Sequence, residues 1–232
     1  MKTIVIIPTY NERENIPAII PAIRQATPDV EILVVDDNSP DGTQDVVRKL
    51  QSSDTKIHLL GRQGKEGLGR AYLAGFKWAL EQGYEGIVQM DADFSHRPED
   101  LKKIVAALPS ADFVVGSRWV SGGRTVNWGV GRKIISLGGS FYARQILRYP
   151  LRDWTGGFNA WKAETLRKIG LDSVRSNGYS FQIELKYRAS KLGFNGIEVP
   201  IIFEDRRVGQ SKMSSRIVIE ALYRVWGMRR LV

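Results

Sequence analysis

Five short strand-like runs, the first four each followed by a stretch with helical spacing, leave the first 116 residues few ways to fold. Residues 3–7, 31–35, 56–60, 86–90 and 112–116 read as strands. Between the first two, Ile16, Ile19, Ile20 and Ile23 recur at i, i+3, i+4 and i+7, which puts them on one face of a helix. Asn15 is placed to cap that helix and Pro17 falls in its tolerated first turn, while Pro21 costs it a hydrogen bond or a kink. Thr43 is placed to cap a second helix carrying Val46, Val47 and Leu50, and the pattern predicts further helices over 69–81 and 98–108. Strands alternating with helices in this way predict an α/β fold, with a mainly parallel central sheet and helices on both faces. No Pro/Gly/Ser-rich linker interrupts the 232 residues, and 43% of them are hydrophobic, so the chain is expected to form one domain, 1–232.

The second half is patterned differently. Residues 117–128 are polar and Gly-containing and read as a loop. Helices are predicted near 132–148, 163–169 and 180–192, then a strand over 196–203 and a final amphipathic helix over 214–230. The 132–148 segment sets Ile134, Ile135, Phe141, Tyr142, Ile146 and Leu147 beside Arg132, Lys133, Arg144 and Arg148. Such a stripe more often packs on a core than on a bilayer, although a basic amphipathic helix can also lie in an anionic interface. Trp119, Trp128, Trp154 and Trp161 are large enough for sugar or lipid contacts, and at least half of them are expected in the core.

Ligands of open α/β sheets bind at the carboxyl ends of the strands, and polar residues gather at those ends here. The first run ends in Pro8-Thr9-Tyr10-Asn11-Glu12, the second in Asp36-Asp37-Asn38-Ser39, the fourth in Asp91-Ala92-Asp93 and the fifth in Gly116-Ser117-Arg118. Asp91 and Asp93 stand where a buried strand surfaces. A pair of carboxylates there can hold a divalent ion against a diphosphate, because phosphate oxygens and water complete the coordination of Mg²⁺ or Mn²⁺. An Asp-x-Asp turn with no ligand is the simpler alternative. The formal charge of +9 asks for an anionic partner: nucleic acid, phospholipid or a phosphorylated substrate. No cysteine is present, which excludes disulfides, thiol catalysis and Cys-based zinc sites and suits a reducing compartment. The first apolar run stops at Pro8, too short for a signal peptide, and no apolar stretch approaches the roughly 20 residues needed to span a bilayer.

Several rivals fail on spacing. A dinucleotide fold needs glycines after the first strand, and a P-loop needs its own glycine-rich run; neither occurs. A non-catalytic basic protein binding nucleic acid or membrane accounts for the charge, but Asp36, Asp37, Asp91 and Asp93 repel phosphate unless a metal intervenes. The segment from Glu204 to Lys212 supplies Arg206, Arg207 and Lys212, donors suited to phosphate oxygens.

Read in order, residues 8–15 (Pro8-Thr9-Tyr10-Asn11-Glu12-Arg13-Glu14-Asn15), 34–43 (around Asp36-Asp37-Asn38-Ser39), Gly67-Leu68-Gly69, Asp91-Ala92-Asp93-Phe94-Ser95-His96 and Gly209-Gln210-Ser211-Lys212 resemble polyprenol (dolichol) monophosphate mannose synthases, which are inverting family-two glycosyltransferases. Residues 116–120 with Val126-Asn127-Trp128 look most like the actinobacterial polyprenol branch. The resemblance runs from Ile4 to about Met213. It implies a GT-A (Rossmann-like) nucleotide-sugar-binding fold, with 1–116 as the nucleotide-binding half and 117–232 as the acceptor half. It implies transfer of mannose from GDP-mannose to a polyprenyl phosphate with Mg²⁺ or Mn²⁺; UDP-glucose as donor is the nearest alternative. Pro8, Tyr10, Glu12 and Asp37 would line the nucleoside pocket, and Asp91, Ala92 and Asp93 would meet the metal and diphosphate. Arg206 and Lys212 would hold the leaving diphosphate. Arg118, Arg132 and Ser136 would receive the acceptor phosphate, and Asp153 would contact the sugar. Relatives carry Gln at the position of Ser95, whose shorter side chain leaves room for a water beside the metal. Some relatives append transmembrane helices and others use a membrane-anchoring partner protein; this sequence displays neither. The expected place is the cytoplasmic face of a membrane, held peripherally, with no nucleic-acid partner.

Overall fold

The computed structural model describes residues 1–205 and 223–229. The predicted alternation is present as β1 (Thr3–Thr9), α1 (Ile16–Ala26), β2 (Glu31–Asp36), α2 (Thr43–Gln51), β3 (Ile57–Gly61), α3 (Leu68–Glu81), β4 (Gly86–Gln89), α4 (Pro98–Ala107) and β5 (Phe113–Ser117). The chain continues through β6 (Arg124–Val126), α5 (Val130–Leu147), β7 (Asn159–Lys162), α6 (Ala163–Lys168), α7 (Gly178–Lys191), β8 (Gly196–Pro200) and β9 (Ile202–Glu204). Residues 223–228 are helical, so the predicted last helix lies mostly outside the described residues.

Among the described residues, seven strands form one sheet in the order β3-β2-β1-β4-β7-β5-β8, and β6 pairs with β9 in a separate ribbon. β1 runs parallel to β2 and β4, β2 to β3, and β5 to β8. The short strand β7 is antiparallel to both β4 and β5 and joins the two parallel groups. Alternation along each strand divides the core between the two faces of the sheet. Ile4, Ile6, Leu33 and Val35 meet Ala71, Tyr72 and Phe76 of α3 and Phe181 of α7 on one face. Val5, Ile7, Ile32 and Val34 meet Ile16, Ile19, Ile20 and Ile23 of α1 and Leu101 and Ile104 of α4 on the other. A sheet covered on both faces explains why its central runs are almost wholly apolar.

Local chemistry departs from expectation in three places. Neither predicted cap forms: Asn15 is already helical and its amide donates to Glu12 at 2.7 Å, and the Thr43 hydroxyl turns to Asp41 at 2.6 Å. The predicted 117–128 loop contains β6, and the predicted strand 196–203 breaks at Ile201. There the Ile201 N–H donates to Ser117 in the main sheet and its carbonyl accepts from Arg124 of the ribbon. Trp154 and Trp161 are fully buried core residues, as expected of half the tryptophans considered. The apolar stripe of α5 is covered only in part: Leu147 is buried and Tyr142 and Ile146 pack against the core, while the rest faces outward. Ile134 and Phe141 are each 64% exposed and Val130 is 73% exposed.

Gly116 controls how β5 enters the site. Its N–H donates to the Phe158 carbonyl at 2.8 Å, and a Cβ added at Gly116 would lie 2.8 Å from that same backbone oxygen. Overpacking of this kind costs about 2 kcal/mol. Gly116→Ala is therefore expected to lower the urea midpoint of unfolding at unchanged slope. A midpoint equal to the parent protein's would show that the two strands separate freely there.

Candidate active site

The carboxyl ends of β1, β2, β4 and β5 open into one cavity of about 570 Å³, which α5 and the start of α7 wall on the far side. Pro8, Tyr10, Glu12, Asp37, Asp91, Ala92, Asp93, Arg118, Arg132 and Ser136 all line it. Arg206 and Lys212 lie outside the described residues. Three strand ends turn through left-handed backbone, at Asn11 (φ 61°), Asn38 (φ 57°) and Phe94 (φ 60°). Asn tolerates that region, whereas for Phe94 it is strained, and the strain sits directly after Asp93.

The two carboxylates of the second strand end do different things. Asp36 is fully buried and accepts from the Thr9 hydroxyl (2.8 Å), the Ser39 N–H (2.9 Å) and hydroxyl (2.6 Å) and the Gln44 amide (2.8 Å). It therefore ties the turn together. Asp37 faces the cavity and pairs with Arg62. Burial raises its carboxyl above the ordinary 3.8, against the opposing pull of the Arg62 guanidinium. On the same cavity wall Lys65 lies 3.9 Å over the Tyr10 ring, a cation that sequence reasoning passed over.

At the fourth strand end, Asp91 and Asp93 stand with Ser95, whose hydroxyl is buried and finds no hydrogen-bond partner. The Asp91 N–H donates to His96 Nδ1 at 3.0 Å, and the Tyr72 hydroxyl donates to the Asp91 carboxylate at 3.3 Å. Burial pushes the fully enclosed His96 ring below its ordinary 6.5, so the ring is neutral with Nδ1 as acceptor. No group of three His, Cys, Asp or Glu gathers among the described residues. Two carboxylates and an unpaired hydroxyl are hard oxygen donors that leave positions open for phosphate oxygens and water. That set fits Mg²⁺ or Mn²⁺ and does not fit a closed zinc site.

The opposite wall is basic. Arg118, at the end of β5, meets Asp153 through two parallel bonds of 2.7 Å and donates to the Thr155 hydroxyl at 2.8 Å. Arg132, from the first turn of α5, lies 4.1 Å over Trp128 and reaches Asp205 at 2.6 Å. Its Nε and the Trp128 Nε1 are buried donors with no partner. Ser136, one turn on, is 3.4 Å from Thr155.

Asp153 corrects an expectation. It is fully buried, absent from the cavity wall, and accepts from the Arg118 N–H, both Arg118 nitrogens above and the Gly156 N–H. It positions Arg118 and has no oxygen left for a sugar. Burial works to raise its carboxyl, but Arg118, then Lys186, hold it below 3.8. Lys186, also absent from the sequence reading, donates to the carbonyls of Asp153 (3.1 Å), Trp154 (3.2 Å) and Gly156 (2.8 Å). Burial brings its ammonium down to about 8. Nothing in the local sequence marks Lys186, which reads as one more polar residue of a helix.

A mixed sheet with paired carboxylates at one strand end and a basic wall across the cleft is the arrangement of a GT-A glycosyltransferase. The chain belongs to glycosyl transferase family 2, whose family model matches residues 4–170. It is 49% identical over 230 residues to an undecaprenyl-phosphate mannosyltransferase of Micrococcus luteus, an alignment covering 98% of this chain and 95% of that one. It is 47% identical over 232 residues to a polyprenol monophosphomannose synthase of Mycolicibacterium smegmatis, covering 98% and 88%. Among solved structures, the mannosyltransferase PcManGT of Pyrobaculum calidifontis, in complex with GDP-Man and Mn²⁺, superposes with a TM-score of 0.66 at 20% identity, over 100% of this chain and 64% of that one. Glucosyl-3-phosphoglycerate synthase of Mycobacterium tuberculosis, with Mn²⁺ and UDP, gives 0.67 at 20% identity, over 97% and 80%. At those identities the structures speak for the fold.

Proposed function

We propose that this chain transfers mannose from GDP-mannose to the phosphate of a polyprenyl phosphate, inverting the anomeric carbon, while docked on the cytoplasmic face of a membrane. One observation carries the reading: a single cavity joins the Asp91/Asp93 rim to the Arg118–Arg132–Ser136 wall at the foot of a helix whose outer face is apolar and exposed. The two relatives named above favour mannose and an isoprenoid phosphate.

The chemistry follows from charge. A phosphate monoester with a second pKa of about 6 is largely a dianion at neutral pH, so its oxygen attacks without a general base. That agrees with a cavity in which the lone pair of His96 Nδ1 is taken by the Asp91 N–H and the Asp153 carboxylate, buried behind the wall, is tied to Arg118. The new bond joins the acceptor oxygen to the anomeric carbon, the bond from that carbon to the diphosphate breaks, and the electron pair leaves with GDP. Attack from the face opposite the diphosphate inverts the centre. About four negative charges meet in this step, two on each phosphate-bearing partner. Arg118 and Arg132 offset those of the acceptor and Lys65 stands at the nucleoside end, while Arg206 and Lys212 are assigned to the leaving diphosphate. Asp91 and Asp93 would hold Mg²⁺ or Mn²⁺, which supplies Lewis-acid stabilisation of developing charge on the diphosphate.

The lipid must be reached at the bilayer. No helix among the described residues is long and apolar enough to cross a membrane. Val130, Ile134, Ile135, Leu137 and Phe141 of α5 are exposed, with Arg144 on the same helix and Arg148 just past its end, and Tyr223 and Trp226 are exposed as well. Such a surface suits an anionic interface. Ile134→Asp with Phe141→Asp is expected to abolish co-sedimentation with vesicles containing anionic lipid and to raise the KM for a long-chain acceptor. Full retention of vesicle binding would remove α5 from the docking surface.

The function is tested by a donor panel. Labelled GDP-mannose and UDP-glucose are offered with a short polyprenyl phosphate, with Mn²⁺ and with EDTA. Butanol-extractable label from GDP-mannose alone, abolished by EDTA, is the expected result. Label from UDP-glucose alone would transfer the same site to the other donor, and label from neither would contradict the reading.

A further inference from the structure

We infer that Gln182, on the first turns of α7, recognises the transferred hexose by donating a hydrogen bond from its side-chain amide to a ring hydroxyl. The inference rests on the proposed mannosyl transfer and names the residue that would read the sugar in place of Asp153.

A chain of buried amides fixes which way Gln182 points. It begins at Trp161, whose indole N–H can only donate, and does so to Gln89 Oε1 at 2.9 Å. The atom of Asn159 that faces this oxygen at 3.3 Å must therefore be nitrogen. The Gly156 carbonyl, which can only accept, requires the same nitrogen at 3.1 Å. Asn159 Nδ2 in turn meets Gln182 at 3.1 Å, so the Gln182 atom there is Oε1. Every link is buried: Trp161, Gln89 and Asn159 at 0% and Gln182 at 3% exposure. The relay ends with the Gln182 NH₂ pointing away from the network. Gln182 lines the cavity, and its Nε2 has no hydrogen-bond partner among the described residues.

Its position selects the sugar over the phosphates. A Cβ placed on Gly157 would be 3.6 Å from Gln182 Nε2 and 3.7 Å from His96 Cε1, so the amide and the ring that receives the Asp91 N–H border the same glycine. That part of the cavity wall is the one a sugar would reach from a diphosphate held by Asp91 and Asp93. The charged donors of the cavity serve the phosphates. A neutral amide, oriented before any ligand arrives, suits a neutral hydroxyl, since no side-chain reordering remains when the sugar enters. The absence of a side chain on Gly157 keeps the approach open.

The test pairs two variants with deoxy donors. Gln182→Glu keeps the oxygen that accepts from Asn159 and replaces the donor by an acceptor; Gln182→Leu keeps the volume and removes both. For each protein the kcat/KM is measured with GDP-mannose and with its 2-, 3-, 4- and 6-deoxy analogues, and affinities for GDP-mannose and GDP are measured by calorimetry. Both variants are expected to lose about tenfold with GDP-mannose, the scale of one hydrogen bond. With one deoxy analogue they should match the parent, and in the uncharged Gln182→Leu protein GDP affinity should stay within about twofold. Unchanged kcat/KM, an equal loss with every analogue, or a parallel loss of GDP affinity in Gln182→Leu would each overturn the contact, the last by moving it to the diphosphate. If the parent protein transfers no mannose, the functional reading fails. The contact is then judged by whether Gln182→Glu removes the extra affinity of GDP-mannose over GDP.

Discussion

Asp93→Asn is expected to lower transfer by about 10³-fold and leave the fold unchanged. The two effects separate because the side chain has two jobs. Its Oδ1 accepts from the Ser95 N–H at 3.1 Å, and an asparagine oxygen accepts equally well, so the turn through Phe94 keeps its support. Lost is the negative charge, which together with Asp91 would hold a divalent cation against the diphosphate. Removing a preorganised electrostatic contribution to a developing charge commonly costs about 10²–10³ in rate, and here the leaving diphosphate would lose its counter-charge as well. Initial rates at saturating GDP-mannose, with the thermal midpoint as a control, measure both. Activity within tenfold of the parent protein would remove Asp93 from the reaction.

The second large effect is expected at Asp153, and it falls on stability and rate together. Asp153→Ala removes the carboxylate that pairs with the Arg118 guanidinium, 5% exposed, and whose charge offsets that of the nearby Lys186 ammonium, 0% exposed. Uncompensated buried charge of this kind costs about 3–5 kcal/mol. Asp153→Asn keeps an acceptor for the Gly156 N–H and should cost less. The sign of the pH dependence is set by the lowered carboxyl. The group is more acidic folded than unfolded, so its stabilisation is fully present above the ordinary 3.8 and fades as pH falls through the folded value. Urea unfolding at pH 7 and in acid should therefore show the parent and Asp153→Asn proteins converging as the medium is acidified. On activity, Arg118 loses the bidentate contact that aims it into the cavity, and the KM for the lipid phosphate should rise. A variant as stable as the parent at pH 7 would mean that Arg118 and Lys186 find other partners.

Much of this could be read from the chain. The parallel strands were legible because a strand buried on both faces must be apolar throughout, as in Ile4-Val5-Ile6-Ile7 and Leu33-Val34-Val35. The rim was legible because polar residues clustered where those runs stop, and the cavity gathers Tyr10, Asp37, Asp91, Asp93 and Arg118 at that rim. β7 was not legible: it is four residues of mixed polarity whose Asn159 belongs to a buried amide relay, and no periodicity marks it. The role of Asp153 was hidden for a related reason. Its partners Arg118 and Lys186 are 35 and 33 residues away, and which carboxylate is enclosed depends on where α7 packs. The stripe of α5 reads alike whether a core or a membrane covers it; the exposure of Ile134 and Phe141 comes from the structure alone.

The central claim is a single in-line displacement by the lipid phosphate with no intermediate on the protein. The most direct test is the anomeric configuration of the product made from GDP-α-mannose and a short polyprenyl phosphate, assigned by the one-bond carbon–hydrogen coupling of C1. The β-mannosyl phosphate is the one product expected. An α-linked product would require a second displacement or a front-face mechanism and would contradict it.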